Sequence, residues 1–232
     1  MSNQYAKATT VLVHAAWADG SSWNKVTEEL QRKGVNVVAA QIPLTSFTED
    51  VASLRKVLLR QDGPLVLAGH SYGGAVITAA AAGNPKVKAL VYIAAVVPDE
   101  GETVSDVFHR AAPHPSAPKL QPDADGSLWL NVEAFRAAVA PDASLSETAL
   151  MAATQKPISL TCLGEPMGKP AWKEKPSWFL IAEKDRMVSP ETQRFTAGRM
   201  KSKIISLPVD HTPLASKPDA VAELIIAAAT NT

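Results

Sequence analysis

Six short, nearly unbroken apolar runs recur along the chain: Thr9 to His14, Val35 to Gln41, Leu65 to Gly69, Val87 to Ala95, Ser177 to Ala182 and Lys203 to Pro208. Runs of this length mark strands buried on both faces, because a strand with one wet face is apolar only at every second position. Stretches of helical spacing separate most of them. Trp23, Val26 and Leu30 recur before a stop at Gly34, Val51, Leu54 and Leu58 before Gly63, and Val221, Leu224, Ile225 and Ala228 after Pro218. This alternation restricts the chain to an α/β architecture, a doubly wound and mostly parallel sheet.

The alternation breaks once, between Pro98 and Pro176, where prolines crowd "AAPHPSAPKLQPDADGSLWL" and the helical patches "NVEAFRAAV" and "SETALMAATQ" follow without a sheet strand. We read residues 98–176 as a cap inserted over the strand ends of a core formed by 1–97 and 177–232, the alternative being an excursion without a role. "LQPDADGSLWL" reads as a small hairpin turning at Asp125 and Gly126. The segment concentrates Phe108, Trp129, Phe135, Met151 and Trp172, large side chains that need burial. A cap over the strand ends turns some of them into an apolar pocket. Trp129, at the end of the hairpin, is the candidate for its wall unless it packs only within the cap, and Ala15 and Trp17 are candidates from the loop after the first strand.

No linker, repeat or low-complexity tract divides the 232 residues, so one domain with an insertion is expected. Lys+Arg and Asp+Glu both number 23, which argues against electrostatic capture of nucleic acid or an anionic membrane and favours a small neutral substrate. Cys162 is the single cysteine, so no internal disulfide can form, and Met1 to Thr10 is too polar for a signal peptide. A reducing cytoplasm is the expected location, with a monomer or homodimer as the working unit. No apolar run approaches the length of a membrane span.

The most informative local feature is "PLVLAGHSYGGAVITAA", Pro64 to Ala80, where a buried strand gives way to helix formers with no room for an ordinary loop. A turn this sharp places Ser71 at its apex in a strained conformation, tolerable only if the residues two before and two after lack obstructing side chains. Gly69 and Gly73 meet that need. The G-x-S-x-G pattern is weak alone; the strand before it and the helix after it raise its weight.

A serine hydroxyl needs a base within hydrogen-bond reach, normally a histidine steadied by a carboxylate. Of five histidines, His109 and His114 lie in the proline-rich segment and read as exposed, His70 belongs to the turn with its side chain directed away from that of Ser71, and His14 ends the first strand. His211 follows the last strand, at the sheet edge that carries Ser71, and is the candidate base. Asp185 follows "SWFLIAEK" on the adjacent strand end and is the candidate acid; Asp99, on the loop after the neighbouring strand, is its rival. Attack on a carbonyl also requires two fixed donors for the developing oxyanion. The backbone N–H of Tyr72 and that of Ala16, in the "HAAWADGSSW" loop, are the candidates.

With "VLVHAAWADGSSW", "PLVLAGHSYGGAVI", "YIAAVVPDEGET", "AEKDRMV" and "DHTPLASKP" in that order, the chain resembles the α/β-hydrolase superfamily over nearly its whole length. Within it the chain looks like the short, capped serine esterases related to plant methylesterases and hydroxynitrile lyases, and like small bacterial hydrolases. The resemblance implies that fold with reduced N-terminal strands, the chain order Ser71, Asp185, His211 for a triad, and no metal or cofactor. Such enzymes often carry His-Gly where this chain has His14-Ala15, a change that costs little unless the backbone there needs a positive φ. A carboxylic ester hydrolase is the leading reading. A receptor of the same fold with little turnover, or a lactonase, thioesterase or carbon–carbon hydrolase, remains an alternative. A hydroxynitrile lyase is disfavoured, since the resemblance there implies a lysine after the histidine and a threonine after the first-strand histidine, where this chain has Thr212 and Ala15.

Overall fold

In the computed structural model, which describes residues 8–231, the six apolar runs become one sheet. The reading of the first ten residues as no leader falls mostly on residues 1–7, outside that range. The strands in chain order are β1 (Thr9–Val13), β2 (Asn36–Ala40), β3 (Leu65–His70), β4 (Val87–Ile93), β5 (Ser127–Leu128), β6 (Ile158–Ser159), β7 (Ser177–Ala182) and β8 (Lys203–Leu207). The main sheet has the order β2-β1-β3-β4-β7-β8 and every pair in it is parallel.

Alternating strand residues serve two apolar layers, as the two-residue repeat of a strand dictates. Val11, Leu65, Leu67 and Tyr92 pack with Leu54 and Leu58 of α2 (Phe47–Leu59) and Val76 and Ile77 of α3 (Tyr72–Ala80). Leu12, Val66, Ala89 and Val91 pack instead with Val26 and Leu30 of α1 (Asn24–Arg32) and with Val221 and Ile225 of the helix Pro218–Thr230. Every residue of β3 and β7 is buried. The expectation of burial on both faces fails for β2 and β8, where Ile204 is 47% exposed. These are the two edges, which have one strand neighbour each and incomplete helical cover.

Parallel strands all end on one side, so the loops after β1, β3, β7 and β8 gather there. Residues 98–176 cover part of that side and share the core: Val104, Val107, Leu128, Ile158, Met167 and Ala171 belong to the same apolar cluster as Val11 and Leu67. The predicted hairpin does not form. A turn does close over Asp123 to Gly126, with the Ser127 N–H donating to the Asp123 and Asp125 carboxylates, but β5 pairs antiparallel with the distant β6. The arm before the turn contributes one backbone bond, from the Asp123 N–H to Ser127 O at 2.9 Å, and the pairing goes no further. Among the described residues no helix is long and apolar enough to cross a membrane.

Candidate active site

Ser71 sits between β3 and α3 with φ 51° and ψ −118°, a conformation that an L-residue adopts only under constraint, at a cost of order 1–3 kcal/mol. The surroundings supply that constraint. A Cβ at Gly69 would lie 2.5 Å from the Gly73 carbonyl oxygen, and one at Gly73 would lie 2.5 Å from that of Val13. The two glycines thus let the turn close on itself and let α3 approach β1. Hydrogen bonds pin Ser71 on both sides: its N–H donates to Ile93 O at 3.0 Å, and its carbonyl accepts from Gly74 at 2.9 Å and Val96 at 3.1 Å.

His211 is buried on the loop after β8, with Nε2 2.9 Å from Ser71 Oγ and Nδ1 2.7 Å from Asp185 Oδ2. The carboxylate can only accept, so Nδ1 carries the proton and Nε2 is left to accept from the serine hydroxyl. Asp185 is itself fixed: Oδ1 accepts from the Met187 and Val188 N–H groups at 2.8 and 2.9 Å, and Oδ2 accepts from Gln193 Nε2 at 2.8 Å. Gln193 was not legible in the sequence, where it is one polar residue in "ETQRFTAGRM". Its amide also accepts from the Ala182 N–H, so it bridges the end of β7 to the carboxylate. The rival Asp99 lies elsewhere, paired with Lys173 at 2.5 Å.

Tyr72 is the first residue of α3, so its N–H has no acceptor within the helix. Its phenol reaches back to the buried Asp50, donating to Oδ2 at 2.6 Å, and Asp50 Oδ1 accepts from the Leu44 N–H at 2.7 Å. Asp50 is a second residue missed in the sequence reading, hidden in the first turn of an ordinary amphipathic helix. Ala16 faces the same cavity as Ser71. The left-handed residue of its loop is Trp17, with φ 55°, and not Ala15, so the alanine in place of glycine carries no backbone strain.

The cavity over Ser71 and His211 has a volume of about 320 Å³. Ala15, Ala16 and Trp17 line it from the core, and Phe135, Val139, Leu150 and Met151 from residues 98–176. Trp129 does not line it. That side chain is 54% exposed and borders a separate surface groove with Pro118 and Lys119. Leu128 and Leu130 on either side of it are buried, so in this extended stretch Trp129 points outward, and the helical turn that follows supplies the wall through Phe135 and Val139.

The chain matches the alpha/beta hydrolase family over residues 10–224. The chain belongs to that family. It is 26% identical to Methylesterase 3 of Arabidopsis thaliana over 258 aligned positions, covering 97% of each chain. It is 31% identical to the carbendazim hydrolyzing esterase of Nocardioides sp. (strain SG-4G) over 121 positions, covering 46% of this chain and 49% of that one. The crystal structure of polyneuridine aldehyde esterase superposes with a TM-score of 0.83 at 19% identity, over 95% of this chain and 98% of that chain.

In this hydrolase two further histidines are locked in the neutral form around the site. His14 Nδ1 donates to the Ala15 carbonyl at 2.9 Å while Nε2 accepts from the Ile42 N–H at 3.2 Å, which holds the Ala15–Ala16 loop; burial pushes its pKa down to about 4. His70, read as a packing residue, also lines the cavity and donates from Nε2 to the His211 carbonyl at 2.7 Å, and burial pushes its pKa down to about 3. Both bind a proton more weakly folded than unfolded. The unfolded chain therefore takes up protons first as pH falls below about 6.5, and stability drops with it. Asp50, whose carboxyl burial raises, works in the opposite sense and offsets part of the loss. From the two histidines alone we expect a loss of about 3 kcal/mol between pH 6.5 and 5. Unfolding in denaturant at the two pH values checks it, with His14→Gln and His70→Gln each reducing the pH dependence.

Proposed function

We propose that this hydrolase cleaves small carboxylic esters through an acyl-enzyme intermediate. Ser71 Oγ attacks the ester carbonyl as His211 Nε2 takes its proton, and the N–H groups of Tyr72 and Ala16 stabilise the oxyanion. The alkoxide departs with the proton held by His211. Water then attacks the acyl-serine with His211 again as base, releasing the acid and restoring Ser71. Asp185 keeps the imidazole in the tautomer both steps require. The observation that carries the reading is the hydrogen-bonded line Asp185–His211–Ser71 at the floor of a largely apolar cavity. The related proteins named for ester cleavage support the bond class.

Residues 98–176 act as the cap in this reading and set the substrate's size. A cavity of about 320 Å³ is near the lower end of small-molecule sites. Activity on p-nitrophenyl esters is therefore expected to fall steeply from acetate to palmitate, and Trp129→Ala to leave that preference as it is. Equal rates along the series refute the closed pocket. The same panel, extended to methyl esters, lactones and thioesters beside Ser71→Ala, tests the function. Thermal stabilisation by a ligand without turnover supports a receptor instead.

A further inference from the structure

Three loops carry the groups over the cavity, and each makes one hydrogen bond into residues 128–142. From the loop after β1, Trp17 Nε1 donates to Leu128 O at 2.8 Å. From the loop after β7, Arg186 Nη1 donates to Ala137 O at 2.8 Å. The loop after β8 accepts through Asp210 Oδ2 from the Asp142 N–H at 3.1 Å, while Oδ1 of the same carboxylate holds Thr212. The part of the segment that holds Phe135 and Val139 is thus tied to each loop.

The middle tie reaches an unusual piece of backbone. Phe135–Val139 is a π-helical turn, closed by the Ala140 N–H donating to Phe135 O at 2.8 Å. It extends the single α-helical turn Val132–Ala134 and ends at Ala140; π-turns are rare and recur at functional sites. The first and last residues of this turn, Phe135 and Val139, both line the cavity. Arg186 grips the carbonyl of Ala137, midway between them, and is the neighbour in sequence of Asp185. One loop therefore bears the acid at one residue and the support for the cavity wall at the next.

We propose that Arg186 is a positioning residue for specificity: by holding Ala137 O it fixes the π-turn, and with it the depth at which Phe135 and Val139 limit the acyl or alcohol group. This rests on the esterase reading for its substrate but not for its geometry. Arg186→Met keeps the length of the side chain and removes the donor, so the wall is expected to relax. The ratio of kcat/KM for p-nitrophenyl octanoate to that for acetate should rise at least about five-fold, chiefly through a lower KM for octanoate. Arg186→Lys, which retains a donor, should bring the ratio back toward wild type. Hydrogen exchange over residues 132–142 should quicken in Arg186→Met, a change that needs no turnover to be seen. An unchanged or lowered ratio, or unchanged exchange, overturns the proposal. A wild type that turns over no ester in the series overturns the esterase reading instead, and the exchange measurement still decides whether Arg186 anchors the turn.

Discussion

Ser71→Ala is expected to lower kcat by about three orders of magnitude or more while the protein stays folded. In the proposed mechanism the acyl-enzyme cannot form without Oγ, and what remains is the contribution of the oxyanion donors and of substrate positioning. Folding should survive because the turn is held by contacts that alanine keeps. The glycines at 69 and 73, the Ser71 N–H bond to Ile93 and the two bonds accepted by the residue's carbonyl all involve backbone. Only the 2.9 Å bond to His211 is lost. A fluorophosphonate should label the wild type at Ser71 and leave the variant unlabelled. Labelling at another residue, or a variant with near-normal turnover, would remove Ser71 from its role.

Asp185→Asn should lower kcat by about 10⁴-fold, with Asp99→Asn changing it little. An asparagine amide satisfies the Met187 and Val188 N–H groups only by turning its oxygen toward them. Its NH₂ then faces His211 Nδ1 and Gln193 Nε2, where the wild-type Oδ2 accepts from both. The imidazole must accept at Nδ1 and carry its proton on Nε2, so it can no longer take one from Ser71. The amide of Gln193 meets a second donor, and some loss of stability accompanies the loss of rate. Asp99 holds Lys173 and the Glu100 N–H at a distance from this chemistry. Steady-state kinetics on variants shown to be folded by circular dichroism compare the two. The reverse ranking overturns the assignment of the acid.

The sheet and the sharp turn at Ser71 were legible in the sequence because each follows from local chemistry. Apolar runs such as Leu65 to Gly69 can be buried only in a covered sheet, and a strand that meets a helix at Gly-His-Ser-Tyr-Gly has few conformations open to it. The convergence of Ser71, Asp185 and His211 was legible one step further on, since parallel strands place their following loops together. Residues defined by their partners in space were not. Gln193, Asp50 and His14 act through hydrogen bonds to groups 8, 22 and 28 residues away, at spacings that mark no motif. Trp129 shows the same limit from the other side. Its size called for burial, and the hairpin that was to provide it depended on which strand Ser127–Leu128 would choose as partner. The choice fell on Ile158–Ser159, and in this extended chain Leu128 and Leu130 turn inward, which leaves Trp129 outside, while Phe135 lies within. Local sequence determined which elements form and where Ser71 stands. Tertiary pairing decided which side chains wall the cavity, because a long-range partner is selected by everything else competing for the same hydrogen bonds.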